Sequence, residues 1–325
     1  MTTIDRWTPA ARIGVWATAL TLLVLALVPT FAPDGVTSRL TALCLYVIMA
    51  AMWNALAGYG GLVSIGQQMF FGLGAYVTIR IANLGIDPFV AVALAALIVA
   101  ALAYPVSLFM LKLRAGEFAI GMWVLAEITH LLINLDPLIQ GETGTSLIAL
   151  NAYDADLRRV VIFWAALAAM GLVLFVLFAL LRSRTGLAIQ AIRDSEEAAA
   201  SLGVDPMRTK RLLFVLAAFG IGLAGALWLA QATSFQPKTC FSVQWTAYMI
   251  FMVLVGGIGR FEGAILGAVI FFLIETRFAA TGVWYLIGLG AVAMLFSLFL
   301  PKGLWRAFDI RLLPIGYTVI RTQRG

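Results

Sequence analysis

Long runs of apolar residues, separated by short polar stretches, fill almost all of this 325-residue sequence. Crossing the hydrocarbon core of a bilayer takes about 20 mostly apolar residues. Ten runs approach that length: 13–32, 38–57, 60–80, 88–111, 117–134, 160–181, 211–230, 244–258, 261–276 and 282–300. The pattern predicts an all-α, polytopic membrane protein with about ten transmembrane helices. Eight is the lower bound, because the third run contains Gln67 and Gln68 and the eighth is short and reaches Gly256-Gly257.

The distribution of basic residues between loops predicts an orientation. Cytoplasmic loops of membrane proteins are rich in Lys and Arg. Residues 182–211 contain six of them, whereas residues 135–157 contain acidic residues and no basic one. With ten crossings, this pattern places both chain ends and residues 182–211 in the cytoplasm (N-in, C-in). The tail adds basic residues on that side: Lys302, Arg306, Arg311, Arg321 and Arg324. Arg80 is the exception, at a helix end where its side chain can reach the interface.

Ten spans divide into two groups of five, and an odd number per group makes the two halves inverted relative to each other. Many transporters are built in this way. The two Gly-Gly pairs, Gly60-Gly61 and Gly256-Gly257, offer a test. Both begin outward-running segments, so they are not equivalent positions of an inverted repeat. Two inverted five-helix halves fit the number of spans, but the sequence does not demonstrate the repeat.

Composition agrees with a membrane location and argues against several function classes. Hydrophobic residues make up 62% of the chain and charged residues 12%, whereas a soluble domain carries about 25% charged residues. The net charge of +6 fits basic cytoplasmic loops and not a nucleic-acid partner. Cys44 and Cys240 stand alone, so neither a metal site nor a disulfide is predicted. No nucleophile–base set is evident. We therefore expect one transmembrane domain over residues 1–325, surrounded by lipid, and no enzymatic activity.

The third run is unusually polar and rich in glycine for a lipid-facing helix. Residues 58–76 read GYGGLVSIGQQMFFGLGAY. Small residues let helices approach closely, and a broken helix is tolerated where it lines a cavity. The stretch therefore predicts either a tight packing interface with paired amides or the lining of a translocation route. Adjacent glutamines point about 100° apart on a helix, so at most one faces a narrow route while the other pairs with a neighbouring helix. The candidate lining residues are Ser64, Gln67, Gln68, Gly72, Gly256 and Gly257.

The long loop at residues 182–211 has the pattern of a short amphipathic helix. Ile192, Ala199 and Leu202 fall within roughly 80° on a helical wheel, and charged residues lie on another face. Gly203 and Pro206 are typical of its end. Such a helix can lie on the membrane surface or dock in a groove of a soluble partner.

The sequence of this loop resembles a known signature. Glu197-Ala198-Ala199, followed after three residues by Gly203, is similar to the EAA–xxx–G coupling motif of ABC importer permeases. In that family the loop forms the helix that seats against the ATP-hydrolysing subunit. The resemblance implies an ATPase-coupling helix here, with these residues: Arg193, Glu196, Glu197, Ala198, Ala199 and Gly203.

Three stretches narrow the resemblance to the branched-chain amino acid ABC transporter permeases, of the LivM type. They are residues 58–76, the loop stretch AIQAIRDSEEAAASLGVD, and MVLVGGIGRFEGAILGA at residues 252–268, in the expected order. Two departures exist. The Ile-x-Leu-Pro end of the longer EAA signature is missing, and Gln67 stands where many relatives have His or a small residue. The second departure bears on substrate identity.

The resemblance implies a permease subunit in a bacterial cytoplasmic (inner) membrane. It implies a second permease subunit that forms a heterodimer, two ABC ATPase subunits that bind ATP and Mg, and an extracytoplasmic binding protein that delivers Leu, Ile or Val. No cofactor is expected in this chain itself, which has no GxxxxGK[ST] phosphate loop. Related permeases move urea, amides or other amino acids, so these substrates stay open.

A function of another class also stays open. Glu127 and His130 lie three residues apart in the fifth run, hence on one helix face. Ionisable residues inside a membrane are candidates for proton relays, and this pair would then serve a proton-coupled secondary transporter. The alternative interpretation is a mutually paired polar couple near the outer end of the span. Glu262 and Glu275 are expected to pair locally, beside Arg260 and Arg277.

Overall fold

The computed structural model describes residues 2–5, 9–300, 303–308, 313, 315 and 318–321. Within these ranges nine helical stretches are long and apolar enough to cross a bilayer, which lies in the predicted range. They are Ala11–Thr30, Asp34–Tyr59, Pro88–Met110, Ala115–Asn134, Ala155–Arg182, Pro206–Ala232, Pro237–Gly256, Phe261–Thr281 and Val283–Trp305. The basic tail residues Lys302, Arg311 and Arg324 lie outside the described residues, and of Arg306 and Arg321 only the backbone is described.

The α-helices follow the apolar runs closely. They are α1 Pro9–Leu27, α2 Asp34–Asn54, α3 Gln68–Asn83, α4 Pro88–Met110, α5 Ala115–Asn134, α6 Ala155–Arg182, α7 Arg184–Asp194, α8 Glu196–Ser201, α9 Pro206–Ala232, α10 Pro237–Cys240, α11 Val243–Gly256, α12 Phe261–Phe278, α13 Val283–Phe299 and α14 Gly303–Phe308. A π-helical turn, Ala55–Tyr59, extends α2. Short 3₁₀ turns are Val28–Thr30, Gly141–Thr143, Ile148–Ala152 and Ala279–Thr281.

Aspartates begin several of the long helices at the points where the sequence turns from polar to apolar. The side chain of Asp87 accepts hydrogen bonds from the backbone N–H of Phe89 at 2.9 Å and of Val90 at 3.3 Å at the start of α4. Asp154 and Asp205 cap α6 and α9 in the same way. Such caps satisfy backbone donors that have no partner inside the helix.

The third predicted span is the one that differs. Instead of a continuous helix over residues 60–80, the chain runs without helical structure to Gln67, and α3 then has 16 residues. The glycines at the start of this run explain the difference, because glycine disfavours the helix interior. The segment still connects opposite regions. Its beginning lies against Arg193 of the basic loop (residues 182–211), and Arg80 near its end lies 2.8 Å from Asp136 of the acidic loop (residues 135–157).

The bundle has a centre and an edge. Helices α2 and α9 are mostly enclosed by other parts of the chain, with 83% and 72% of the residues in their most apolar stretches buried. Helix α9 packs against α3 and α4, and α2 packs against α6, α12 and α9. In contrast, α1 and the α13 stretch have only 6% and 11% buried. Their apolar outer surfaces are available to lipid or to another subunit.

Two small antiparallel sheets accompany the helices and were not predicted. Strand β1, Thr2–Asp5, pairs with β4, Thr318–Arg321, with Thr2 opposite Arg321. Strand β2, Thr145–Ser146, pairs with β3, Ser234–Phe235. The first pairing brings the two ends of the described chain together. The assignment of that side to the cytoplasm stays a prediction.

Candidate functional site

All six residues proposed to line a route are buried inside the chain: Ser64, Gln67, Gln68, Gly72, Gly256 and Gly257. The first three belong to the turn from extended chain to α3. The Ser64 hydroxyl accepts a hydrogen bond from the Gly66 N–H at 3.3 Å, and the Ser64 carbonyl accepts one from the Trp53 indole at 3.0 Å. These bonds hold the non-helical stretch against α2.

Gln68 is paired with Thr246 of α11. The Thr246 hydroxyl donates to Gln68 Oε1 at 2.5 Å and accepts from the Gln68 backbone N–H at 3.1 Å. Both residues are almost fully buried. A single hydroxyl therefore fixes the beginning of α3 against α11, as the packing interpretation of this glutamine expects.

Gln67 differs from its neighbour. Its side chain is fully buried, yet neither Oε1 nor Nε2 has a hydrogen-bond partner among the described residues. An unpaired buried polar group costs about 1–3 kcal/mol relative to a paired one. The structure thus divides the two amides as the 100° argument expects, with one bonded to a neighbouring helix and the other without a partner in the described chain.

The glycines of the candidate route lie at close contacts between elements. A Cβ on Gly72 would lie 2.6 Å from the ring of Phe241. A Cβ on Gly256 would lie 1.8 Å from the carbonyl oxygen of Gly263 in α12. Gly257 ends α11 with φ of 124°, a conformation that favours glycine. The close contacts show that all three glycines lie where elements pack tightly.

The basic loop at residues 182–211 forms two helices and not one. Ser195 ends α7 and begins α8, with φ of −160°, and its side chain accepts from the Ala198 N–H at 3.3 Å. The expectation that Leu202 shares a face with Ile192 and Ala199 is therefore wrong. Ile192 and Ala199 are buried at 5% and 1% exposure, whereas Leu202 is 84% exposed. The break at Ser195 changes the direction of the chain, so one helical wheel does not describe both parts.

The residues proposed for ATPase coupling divide into buried and exposed ones. Ala199 is buried against the rest of the chain, and the others are exposed: Arg193, Glu196, Glu197, Ala198 and Gly203. Lys210 Nζ lies 2.6 Å from Glu196 Oε2 and ties α8 to the start of α9. Gly203 has φ of 84°, which ends α8 in the left-handed conformation. The result is a short, acidic helix presented on the surface of the basic loop.

The three stretches that carry the family resemblance meet at one junction. Arg193 Nη1 donates to the Gly58 carbonyl at 2.9 Å. Asn54 Nδ2 donates to the Arg260 carbonyl at 2.9 Å, and Asn54 Oδ1 accepts from the Gly259 N–H at 2.8 Å. Sequence reasoning missed Asn54, although a lone amide inside the second apolar run was a signal for a buried polar contact.

Glu127 and His130 do contact each other, at 3.1 Å between Oε1 and Nδ1. His130 Nε2 also lies 2.8 Å from Glu142 Oε1, and Asn134 donates to the same oxygen at 2.6 Å. The Glu142 carboxylate also accepts from the Lys238 backbone N–H at 2.9 Å. The pair thus belongs to a polar cluster at the end of α5 that fastens the acidic loop to α10. These contacts favour the mutually paired interpretation over a proton path.

Electrostatics of the acidic loop follow from these bonds. Partial burial raises the pKa of Glu142, but hydrogen bonds from Asn134 and Lys238 and the nearby His130 outweigh it, so the pKa lies below its usual range. Burial also raises the pKa of Asp136, but hydrogen bonds from Tyr76 and Leu138 and the charge of Arg80 outweigh it. The pKa of Asp136 is therefore lowered overall.

Two sequence expectations about carboxylates and thiols can be compared with the geometry. Glu275 was expected beside Arg277, but its Oε1 accepts a hydrogen bond from the Tyr46 hydroxyl at 2.7 Å across from α2. Cys44 and Cys240 are free and buried. Across the part of the chain that the structure describes, no group of His, Cys, Asp and Glu side chains is arranged to hold a metal ion.

Comparisons with known proteins identify one family and several relatives. A family model described as "Branched-chain amino acid transport system / permease component" matches residues 35–301. The chain is 28% identical to the high-affinity branched-chain amino acid transport system permease protein LivM of Escherichia coli (strain K12), over 87% of this chain and 73% of that protein. The LivM of Salmonella typhimurium is also 28% identical, over 88% and 73%. The probable LivM of Methanocaldococcus jannaschii is 25% identical over 71% of this chain and 77% of that protein. No solved structure gives a significant match.

Proposed function

Because the chain belongs to the family of permease components of branched-chain amino acid transport systems, we propose that it is the membrane subunit of an ATP-driven ABC importer. In this proposal a second, different permease subunit completes the transmembrane core. Two ABC ATPase subunits bind ATP and Mg at the cytoplasmic side, and an extracytoplasmic protein delivers the substrate. The complex sits in a bacterial cytoplasmic membrane.

The exposed helix α8 is the observation that carries this proposal. It is short, it begins with Glu196 and Glu197, and its buried Ala199 rests on the permease while the opposite face is open. A helix that is fastened on one side and exposed on the other suits insertion into a groove of a soluble partner. Nucleotide binding by that partner would then move α8 and, through it, the membrane helices.

Branched-chain amino acids are the substrates that the interior suits best. The centre of the bundle around α2, α3 and α11 is apolar, with the Gln67 amide as a polar group that has no partner among the described residues. Leu, Ile and Val combine an apolar side chain with polar ends that an amide can bind. Urea, amides and other amino acids remain competing substrates, since an amide also binds their polar groups.

Reconstitution of the complete transporter tests the proposal. The chain would be co-purified with a second permease subunit and ABC ATPase subunits from the same organism and placed in liposomes with an extracytoplasmic binding protein for branched-chain amino acids. We expect uptake of labelled leucine that requires ATP and the binding protein. Unlabelled isoleucine and valine should compete, and urea and acetamide, added separately, serve as rival substrates.

Two outcomes would contradict this proposal. Uptake by the purified chain without ATPase subunits would favour a secondary transporter, above all if a proton gradient drove it and Glu127→Gln abolished it. ATP-driven uptake of urea or acetamide, with no competition by leucine, would keep the importer and replace the substrate.

A further inference from the structure

At the junction, Arg193 and Asn54 join the basic loop to two membrane segments, the one at Gly58 and the one at residues 259–260. The ATPase need not touch either side chain. We propose that Arg193 and Asn54 form a mechanical tie that carries the motion of α7 and α8 to the π-helical turn Ala55–Tyr59 and to the loop that follows α11, and through these two segments to α3 and α11. The proposal rests on the proposed function, which supplies the source of the motion. It assigns Arg193 to positioning inside the permease and not to docking.

Arg193 supplies a partner for a carbonyl at the end of a helix. The π-helical turn Ala55–Tyr59 is followed by non-helical chain, so its last carbonyls lack the donors that a continuing helix provides. Arg193 Nη1 donates to the Gly58 carbonyl at 2.9 Å. Its Nε and Nη2 bind Asp194 Oδ1 at 3.0 and 2.8 Å, which fixes the plane of the guanidinium. A lysine has no such fork and cannot hold both contacts in one rigid geometry.

Asn54 binds the second segment with both ends of its amide. It donates to the Arg260 carbonyl and accepts from the Gly259 N–H, at 2.9 and 2.8 Å, and the side chain is fully buried. Because both bonds go to backbone atoms of adjacent residues, the loop between α11 and α12 cannot slide past α2 without breaking them. Hydrogen bonds in such a buried place are costly to leave unmade.

Two glycines, Gly58 and Gly259, let the backbones at the junction approach each other closely. A Cβ on Gly58 would lie 2.2 Å from Asn54 Oδ1 and 2.4 Å from the Gly259 nitrogen. Gly259 itself has φ of 72°, and a Cβ there would lie 3.1 Å from the Gly58 carbonyl oxygen. Contacts this tight leave little slack, so a displacement of one segment is passed to the other.

The two segments that leave the junction meet again deeper in the bundle. One continues through residues 60–67 to Gln67 and Gln68, and the other is α11, which carries Thr246. The hydrogen bonds between Gln68 and Thr246 connect these two segments a second time. A shift of the junction as one unit therefore moves the buried Gln67 amide together with its surroundings, and this is how we expect the loop to act on the route.

Substitution of Arg193 distinguishes a residue that transmits motion inside the chain from a residue that binds the ATPase. In the complete transporter in liposomes, we expect Arg193→Gln to keep the ATPase subunits bound in wild-type amounts. Transport per ATP hydrolysed should fall about two- to thirtyfold, the range that broken coupling contacts produce. Arg193→Lys should restore part of the loss. Arg208→Gln is the matched control, because Arg208 lies in the same loop, has an 85% exposed side chain and pairs with Asp205 three residues away.

The outcomes distinguish the tie from the proposed function. Loss of ATPase binding in Arg193→Gln, or an unchanged ratio of transport to hydrolysis, would overturn the tie and leave the importer intact. Equal losses in Arg193→Gln and Arg208→Gln would show a general charge effect and also overturn it. A wild-type chain that binds no ATPase would defeat the proposed function. Should Arg193→Gln fail to accumulate, Arg193→Lys is measured alone, and a wild-type coupling ratio there counts against the tie.

Discussion

Gln67 and Gln68 show how two identical neighbours acquire different roles. Adjacent positions at the start of a helix point in different directions, so only Gln68 reaches the hydroxyl of Thr246. Gln67 is equally buried but has no partner in the described chain. The difference cannot be read from the two letters, since it depends on which helix lies beside each side chain. It makes Gln67 the better candidate for contact with substrate or water.

Replacing each glutamine by leucine should separate stability from transport. Gln68→Leu removes the acceptor of the buried Thr246 O–H, which keeps only the bond that it accepts from the backbone N–H of residue 68. We therefore expect a loss of about 1–3 kcal/mol of stability. Gln67→Leu removes an amide that has no bond, so stability should be unchanged or higher while uptake falls. Thermal unfolding in detergent and uptake in liposomes measure the two effects. A destabilised Gln67→Leu with normal uptake would argue that this amide is structural.

At the scale of elements, the pattern of apolar and polar residues predicts most of the helices and fails at two places for identifiable reasons. The third run has enough apolar residues for a span, but its glycines favour extended chain before α3. The loop helix breaks at Ser195, whose side chain caps α8. Contacts between distant residues, such as Asn54 with Gly259, leave no periodic signal and could not be predicted from one sequence.

Two substitutions, one in α8 and one just after its end, should uncouple transport and leave the chain inserted in the membrane. Glu197 is exposed, so Glu197→Lys should leave the fold intact while it reverses a charge on the docking face. We expect ATPase binding to weaken about tenfold, or ~1.4 kcal/mol. Gly203→Pro should act through the backbone, because proline cannot adopt the φ of 84° found there. Co-purification with the ATPase measures both, and normal binding in both variants would refute the docking role.

The acidic loop should loosen at low pH because of Glu142. Its pKa is lowered from the ordinary value of 4.5 in the folded protein, so its bonds stabilise the loop above that value. The stabilisation is lost as the pH falls below 4.5 through the lowered pKa. Hydrogen exchange of residues 135–154 and 233–240 should therefore rise at acid pH in the wild type. In Glu142→Gln exchange should be high already at neutral pH and should change less, and an identical acid response in both proteins would exclude Glu142 as its source.

At the scale of the whole molecule, the arrangement of buried and exposed helices indicates what surrounds the chain. Helices α2 and α9 are enclosed by their neighbours, whereas α1 and α13 expose apolar surface over most of their length. In a bilayer such surface is covered by lipid or by another subunit. The basic and acidic loops lie at different ends of the third segment, which agrees with the predicted orientation.

Labelling of single cysteines should establish which side each loop occupies. Ala200 in α8 and Ala152 in the acidic loop are both exposed, so Ala200→Cys and Ala152→Cys form a matched pair. A thiol reagent that does not cross membranes should label Ala152→Cys in intact cells and Ala200→Cys only after the cells are opened. The native Cys44 and Cys240 are buried and should add little background. The reverse pattern would invert the topology and remove the basis of the coupling loop.

The break at Ser195 divides the loop into a part that grips the permease and a part that is displayed. Arg193 and Ile192 precede the break and contact the bundle, whereas most of the open surface follows it, from Glu196 to Leu202, with Ala199 as the one buried position. Substitutions after Ser195 could therefore adapt the exposed part to a different ATPase subunit during evolution, without disturbing the contacts made by the residues before it. Exchange of these few positions between related transporters would then be enough to change which ATPase subunit the chain binds.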